Sequence, residues 1–485
     1  MPARHDFKAL NRAAVDAEGA FIDGRLKNIA FKHKQLRALF RILQDNGETI
    51  LAATRNPGRC ALELEHCLQV ISETIEELPS DLVKAAKALR ALVDPKAKQG
   101  RKDCGAGTVL IVANETHPIA SWVVPLVTAF YDGNAAIVSF PSQSAVHSTL
   151  VRPLRSSMDQ SSFHFVMEDP SALNTWLKSG PTGLAGLVCF GDLPGTDKDD
   201  LVLPIRKFTV HIPARGHNPV IIDQSVVPSA LLQGMAMTRS DGTTSKSCPD
   251  EVRNAIQDIA SSIAQAYHIA RGADDMKDKS GSASSGVPGY LLVHENVSAL
   301  MIPALKSTLP PNFQPHVQAL DAAEDILASS QLDYLPVFSV RSLDHAMDTV
   351  TNRLPSSPLA YVFAEKRFGE YAAGNLERKS VAINDIPRRL AIAGAYASRK
   401  DFTVNRERVF WESDKPSRDY GNPDKSYKGL KVAKLHQAGG FRIDFFGGSF
   451  LFAASIFLTC FLGTSGWLIY RGGLLALARW RGGRL

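Results

Sequence analysis

The sequence predicts an α/β protein with a largely parallel sheet and one membrane-spanning helix near its C-terminus. Short unbroken apolar runs recur between residues 108 and 384, helix-length segments separate them, and residues 447–470 form a longer apolar stretch. Strands buried on both faces of a parallel sheet appear as continuous apolar runs, and their crossover connections are usually helices. At 485 residues and 45% hydrophobic composition, the chain is expected to form two or more lobes.

The first part of the chain predicts helices, from Gly24 to about Leu92. The segment "LKNIAFKHKQLRALFRILQDN" places apolar residues near one face, and "LELEHCLQVISETIEEL" repeats the pattern. Cys60 and Cys67 fall within or beside these helices, where buried structural thiols are commoner than reactive ones.

Eight short apolar runs after the connector "KAKQGRKDCGAG" are predicted strands. They begin at Thr108, Ala135, Gly186, Pro219, Gly289, Tyr334, Leu359 and Val381. From Pro387 onward the chain becomes basic and irregular, which predicts a linker or a surface-lying segment. A solvated linker and a segment that contacts anionic lipid head groups are both consistent with this composition.

Charge and cysteine usage exclude several classes of protein. The net charge of +6 is modest and its Lys and Arg residues are dispersed, so nucleic-acid binding is not expected. The six cysteines show neither a CxxC pair nor the spacing of a zinc site or disulfide framework, so no metal is predicted and a reducing compartment is. The N-terminus lacks the apolar core of a signal peptide. We therefore expect a cytosolic main body.

Residues 447–470, "GGSFLFAASIFLTCFLGTSGWLIY", have no ionisable side chain apart from a Cys and a Tyr, and a membrane helix needs roughly 20 residues. They predict a single-pass tail anchor that inserts in a lipid bilayer. Trp467 and Tyr470 suit the membrane interface. A buried hairpin of a soluble core is the alternative, because four glycines weaken the helix prediction. Basic residues on both sides leave the orientation of the helix open.

Several segments, in order, resemble the aldehyde dehydrogenase superfamily, most closely the short class-3 type that includes tail-anchored fatty aldehyde dehydrogenases. These segments are "FIDGRLKNIAFKHKQLRAL", "PLVTAFYDGNAAIVSFPS", "LPVFSVRSLDHAMDTVTNRLPSSPLAYVF" and "VAINDI". The resemblance covers roughly residues 20–390 and implies a Rossmann-like cofactor domain plus a second, catalytic-type α/β domain. The predicted divisions are 1–92 (helical part of the cofactor-type domain), 93–223 (Rossmann-like), 224–386 (catalytic-type, with an insertion near 271–287), 387–446 (basic linker), 447–470 (transmembrane helix) and 471–485 (basic tail).

The resemblance implies aldehyde oxidation by a cysteine thiolate, with NAD or NADP as hydride acceptor. The nucleophile of the family lies between a helix and a strand whose counterparts here are "VRNAIQDIASSIAQAYHIARG" and "VPGYLLV". No cysteine lies between them, Arg271 occupies the matching position, and a Ser/Gly-rich insertion follows. A guanidinium stays protonated and cannot act as a thiolate does.

The other catalytic positions are also changed. His211 stands where the family has its water-activating glutamate, and Asn114 or Thr116 stands nearest to the oxyanion-binding asparagine. Cys248, at a helix start with Pro249 in the first turn, is a displaced candidate for the nucleophile because a helix N-terminus lowers a thiol pKa. Cys248, His211 and Asn114 are therefore weak catalytic candidates.

The cofactor contacts implied by the resemblance are mostly replaced. Phe140 stands in place of the lysine that contacts the adenosine ribose, and Gln143 in place of the following glutamate. The phosphate-side turn is replaced by "FGDLPGTDKDD", whose four carboxylates would repel pyrophosphate. The residues that survive as candidates for cofactor binding are Pro141, Ser142, Gly191 and Gly195.

Two hypotheses follow. One is a membrane-anchored relative without standard catalysis, used for binding or scaffolding, with no cofactor required and with pairing to itself or to an active aldehyde dehydrogenase. The other is an active NAD(P)-dependent aldehyde dehydrogenase that oxidises a hydrophobic aldehyde with displaced catalytic groups. A binding module for a different nucleotide or for a lipid is a third possibility.

Overall fold

The computed structural model describes residues 7–78, 105–190, 208–212, 217–227, 250–271, 286–311, 313–328, 334–354, 357–394, 409–412, 426–430, 467 and 469–474. The chain divides into a large unit, Met1–Pro79 with Val83–Ala433, and a small one, Ser80–Leu82 with Lys434–Leu485. In the small unit the described residues near position 470 are helical and exposed. Within the described ranges no helix is long and apolar enough to span a bilayer, and nearly all of the predicted span 447–470 lies outside those ranges.

The chain begins with a group of helices, as predicted. They are α1 (Lys8–Ile22), α2 (Ile29–Asp45), α3 (Gly47–Ala53) and α4 (Pro57–Glu77). The side chain of Asn28 starts α2 by accepting a hydrogen bond from the Ala30 amide at 2.9 Å, and Asn56 starts α4 in the same way. Helix α1 was not predicted, and the predicted helical residues 79–92 lie outside the described ranges.

The first sheet has five parallel strands in the order β3-β2-β1-β4-β5. The strands are β1 (Thr108–Val112), β2 (Ala135–Pro141), β3 (Phe163–Glu168), β4 (Leu184–Phe190) and β5 (Phe208–Ile212). Helices α5 (Ala120–Asp132), α6 (Ala145–Ser157) and α7 (Pro170–Lys178) connect them. This order, which reverses beside β1, is that of a Rossmann-like half.

The second sheet has seven parallel strands in the order β12-β11-β10-β6-β7-β9-β8. The strands are β6 (Asn218–Ile222), β7 (Pro288–His294), β8 (Pro315–Gln318), β9 (Leu335–Val340), β10 (Leu359–Phe363), β11 (Ser380–Ile383) and β12 (Val409–Glu412). The helices are α8 (Asp250–Arg271), α9 (Glu295–Thr308), α10 (Ala323–Ala328), α11 (Leu343–Asn352), α12 (Lys366–Asn375) and α13 (Arg388–Ala393). The α/β class with parallel sheets is thus confirmed.

All eight predicted strands are present, but the expectation of an irregular linker from Pro387 is wrong for three stretches. Helix α13 buries four consecutive apolar residues, β12 pairs in parallel with β11, and a 3-10 turn spans Ser426–Gly429. Burial and strand pairing outweigh the basic composition there. The strand β6, which the predicted division at 223 assigns to the Rossmann-like domain, pairs with β7 and β10 in the second sheet.

Candidate functional site

Ligands of parallel α/β proteins bind beyond the carboxyl ends of the strands, so the loops after β1, β2 and β4 are the first place to look for a site. The loop between β1 and α5 contains Asn114, a predicted catalytic candidate. Its Nδ2 donates to the Phe190 carbonyl oxygen at 3.0 Å, and its Oδ1 accepts from the Thr116 amide at 2.6 Å. The Asn114 side chain therefore joins the ends of β1 and β4 and shapes the loop, which gives it a structural role.

The same loop rests on a buried polar cluster that the sequence analysis missed. The Glu63 carboxylate, on α4, is fully buried and accepts hydrogen bonds from the amides of Ile119 and Ala120 at 3.2 and 3.3 Å. His117 Nδ1 lies 3.2 Å from Glu63 Oε1, and Arg59 Nε lies 3.5 Å from the same oxygen. Glu63 thus caps the start of α5, where amide groups have no partner within the helix.

The charges of this cluster are balanced. Burial alone would raise the pKa of Glu63, but the hydrogen bond from His117 and the charges of His117 and Arg59 keep it below its ordinary value. Burial, and then the charge of Arg59, lower the pKa of His117, so its ring is neutral at pH 7 and donates from Nδ1. A carboxylate engaged in this way is not available as a base. The detectable signal was a glutamate on the apolar face of α4, four residues after an arginine.

Phe140, at the position of the family's ribose-contacting lysine, is completely buried in the core. Its ring stacks on His147 with centroids 4.7 Å apart and meets Trp122 edge-on at 5.3 Å. His147 Nε2 and Trp122 Nε1 both donate to the Pro118 carbonyl, at 2.8 and 2.9 Å. The aromatic group therefore packs against the interior of the sheet and leaves no cation beyond β2.

The other predicted cofactor residues are only partly within the described ranges. Pro141 ends β2, and the amide of Ser142 donates to the Glu168 carbonyl at the end of β3 at 3.2 Å. Both lie at the edge where a Rossmann-like fold binds nucleotides, and they offer backbone groups without a charged side chain. Gly191, Gly195 and Cys248 lie outside the described residues.

The junction between α8 and β7 is the counterpart of the family's nucleophile segment. Helix α8 ends at Arg271, the side chain of which is not described, and the insertion at residues 272–285 lies outside the described ranges. The chain re-enters the core at Gly286, where a Cβ would overlap the Leu390 carbonyl and where the Tyr361 hydroxyl donates to the Gly286 carbonyl at 2.5 Å. The start of β7 is thus held firmly.

The described cysteines are Cys60, Cys67 and Cys189, and all are buried. Burial first, and then the nearby Glu63 charge, raise the pKa of both the Cys60 and the Cys67 thiols. Such thiols are protonated and poorly nucleophilic at neutral pH. Cys189 and His211 are register partners on β4 and β5, but the His211 side chain is outside the described atoms.

The described residues contain no group of three or more His, Cys, Asp or Glu side chains arranged to hold a metal ion. The geometry around β1 and β2 is thus that of a packed interior with an acid, an arginine and a histidine used for structure.

No protein-family model matches the chain. Aldehyde dehydrogenase family 3 member B2 of Mus musculus is 24% identical over 229 residues, which are 45% of this chain and 47% of that protein. Aldehyde dehydrogenase family 3 member B1 of Homo sapiens is 26% identical over 234 residues, 45% of this chain and 48% of that protein. The matched part therefore spans about half the length of these relatives.

Solved structures agree in fold over a larger part of the chain. The substrate-bound AldH of Staphylococcus aureus matches with a TM-score of 0.54 at 18% identity and covers 79% of this chain and 86% of its own. The NADP-dependent glyceraldehyde-3-phosphate dehydrogenase of Bacillus halodurans, in complex with NADP, matches with a TM-score of 0.54 at 14% identity over 78% of this chain and 83% of its own. Together with the sequence relatives, these matches identify the chain as a class-3-like relative of the aldehyde dehydrogenase superfamily.

Proposed function

We propose that this chain is a membrane-anchored aldehyde dehydrogenase-like protein that lacks the standard reaction and acts by binding. One observation carries the proposal: the sequence has no cysteine between Cys248 and Cys460. The segment from the start of α8 to the end of β12 therefore contains no thiol, whatever structure residues 272–285 adopt. Without a thiol at this junction, the covalent hemithioacetal of a family enzyme cannot form there.

The packing of the first sheet supports the same proposal. Phe140 fills the core where a cofactor-binding lysine would stand, and the Asn114 amide is used to join two strand ends. A family enzyme needs its nucleophile, oxyanion donor and cofactor cations together, because each supplies a separate part of the rate enhancement. Their joint absence from the matching positions favours loss of function over a single displaced group.

The binding partner that best fits this fold is another aldehyde dehydrogenase chain, either a second copy or an active homologue. The main body would lie in the cytosol and the helix at 447–470 in the bilayer. The Bacillus halodurans structure contains NADP. For this chain, NAD or NADP would be required only if it proves active.

Turnover distinguishes the two hypotheses. The full-length protein in detergent is mixed with NAD or NADP and a series of aldehydes of increasing chain length, and formation of the reduced cofactor is followed by absorbance. We expect none above the rate without protein. Turnover that Cys248→Ser abolishes, and that Cys104→Ser leaves intact, would replace the proposal by that of an active enzyme with a displaced nucleophile.

Membrane anchoring is tested separately with Leu458→Arg in the full chain. An arginine at the centre of a membrane helix costs about 2.5–3.5 kcal/mol of insertion free energy. We expect the unaltered protein to float with vesicles in a density gradient after a carbonate wash and a large part of Leu458→Arg to remain in the soluble fraction. Equal flotation of both proteins, or of neither, would contradict the anchor.

A further inference from the structure

The segment that precedes the predicted membrane anchor is fixed to the N-terminal helices. Tyr427 is 1% exposed, and a Cβ on Gly47 would lie 2.5 Å from a Tyr427 ring carbon. The side chain of Gln44 donates to the Leu430 carbonyl at 3.1 Å. We call the contacts of Tyr427 and Leu430 with α2 and α3 the exit clasp. Only a glycine at position 47 leaves room for it.

The exit clasp determines which face of the large unit lies near the anchor. About 16 residues separate Leu430 from Gly447, where the predicted span begins, and even a fully extended chain of this length reaches no more than about 55 Å. A folded unit of about 430 residues has a radius of gyration of about 22 Å. The helices that hold the clasp are therefore kept near the bilayer surface, at a high effective concentration relative to it.

A cleft of about 500 Å³ adjoins the clasp between the C-terminal parts of α2 and α6. Its walls include Arg41 and Asn46 from α2 and its cap, and Arg152, Ser156 and Ser157 from α6. Asn46 directly precedes Gly47, so the cleft and the clasp share one surface.

The cleft carries positive charge that the protein does not neutralise. Arg41 and Arg152 are exposed, and neither makes an ion pair or a side-chain hydrogen bond with any described residue. Asp45 lines the same cleft and offsets one of the two charges. Cations near helix C-termini interact favourably with the helix dipole, which explains why both arginines are tolerated there. Their guanidinium hydrogens nevertheless remain open to an external acceptor.

We propose that the exit clasp and the arginine cleft form the membrane-facing surface of the large unit, and that the cleft receives the phosphate of an anionic lipid headgroup. Guanidinium groups bind phosphate through paired, charge-assisted hydrogen bonds, and the hydroxyls of Ser156 and Ser157 add donors. Basic groups near a negatively charged leaflet are attracted to it. This inference rests on the proposed membrane anchor.

The test uses the full chain reconstituted into phosphatidylcholine vesicles, with and without added phosphatidylserine, and measures amide hydrogen exchange. We expect phosphatidylserine to slow exchange several-fold at residues 41–53 and 152–157, with no change in α12. Arg41→Gln/Arg152→Gln should abolish this protection. The matched pair Arg341→Gln/Arg367→Gln removes two exposed arginines elsewhere and should retain it.

The outcomes separate this inference from the anchor. Failure of the unaltered protein to float with vesicles would refute the anchor, whereas flotation without protection by phosphatidylserine would refute only the membrane-facing surface. Protection by inorganic phosphate without lipid would assign the cleft to a soluble phosphate, and protection that grows with protein concentration would assign the face to a second copy. Tyr427→Ala should keep flotation and reduce the protection, because the clasp no longer fixes the face.

Discussion

The buried ring of His147 makes the stability of the protein sensitive to mild acid. Burial lowers the pKa of His147 from 6.5 to about 4, and the hydrogen bond to the Pro118 carbonyl only partly opposes this. The ring stays neutral in the folded protein because its Nε2 hydrogen is donated to that carbonyl and its face rests on Phe140. As the pH falls below 6.5, the unfolded chain binds a proton that the folded protein does not bind until about pH 4.

The size of the effect follows from these two pKa values. Between pH 7.5 and 5.0, the difference in proton uptake removes about 2 kcal/mol of unfolding free energy, at 1.36 kcal/mol per pKa unit. Urea unfolding of the full chain in detergent, followed by tryptophan fluorescence, measures this at both pH values. His147→Gln keeps a donor to Pro118 but does not titrate, so its stability should fall by about 2 kcal/mol less than that of the unaltered protein.

The control for this prediction is Trp122→Phe, which removes the other hydrogen bond to Pro118 without removing a titrating group. Trp122→Phe should be less stable at pH 7.5 but keep the full pH dependence. Other histidines with lowered pKa values, among them His117, add an acid-induced loss that is common to all three proteins. Equal pH dependence of His147→Gln and the unaltered protein would refute the assignment of a neutral, buried ring.

Three further substitutions test the packing. Phe140→Lys, which restores the family's residue, should lose at least about 3 kcal/mol of unfolding free energy and gain no affinity for NAD, because the ring is a core side chain; a gain in calorimetric NAD binding would contradict this. Gly47→Val should lose about 2 kcal/mol in thermal unfolding by displacing Tyr427, whereas Gly19→Ala, with nothing within 4 Å, should gain about 0.5–1 kcal/mol; similar effects of both would argue against the clasp. Glu63→Leu should lose about 3–5 kcal/mol in urea unfolding because it leaves a buried arginine and two amides unpaired; a loss below about 1 kcal/mol would show that the cluster is not structural.

The strands that the sequence revealed differ from those that it concealed. β1, β2, β4, β6, β7, β9, β10 and β11 contain unbroken apolar runs, because most are covered on both faces and have a neighbour on each side. β3, β5, β8 and β12 lie at the edges of the two sheets. Edge strands are partly exposed, so polar residues such as His164 and Glu168 in β3 interrupt the apolar pattern.

Helix α1 escaped prediction because its buried face is narrow and made mainly of alanine. Leu10, Ala13, Ala14, Ala17 and Ala20 follow helical spacing and are buried, but alanine contributes little to an apolar pattern. Recurring alanine at three- and four-residue intervals was the available signal.

The candidate site was predictable in what it lacks but not in how the vacated positions are used. A missing cysteine can be read from the sequence, since it depends on residue type and order. The pairing of Glu63 with His117 depends on two residues 54 positions apart, and the structural use of Asn114 depends on a carbonyl 76 residues away. Such contacts come from the packing of α4 against the loop after β1, which local patterns do not reveal.

The central claim is that this aldehyde dehydrogenase fold no longer binds the cofactor of its relatives. Isothermal titration of the full chain in detergent with NAD and with NADP tests it most directly, because binding does not depend on knowing the substrate. We predict no saturable heat with either cofactor up to roughly millimolar concentration, about 4 kcal/mol of binding free energy. Saturable binding of NAD or NADP with a micromolar Kd, weakened by substitution of Ser142, would contradict it.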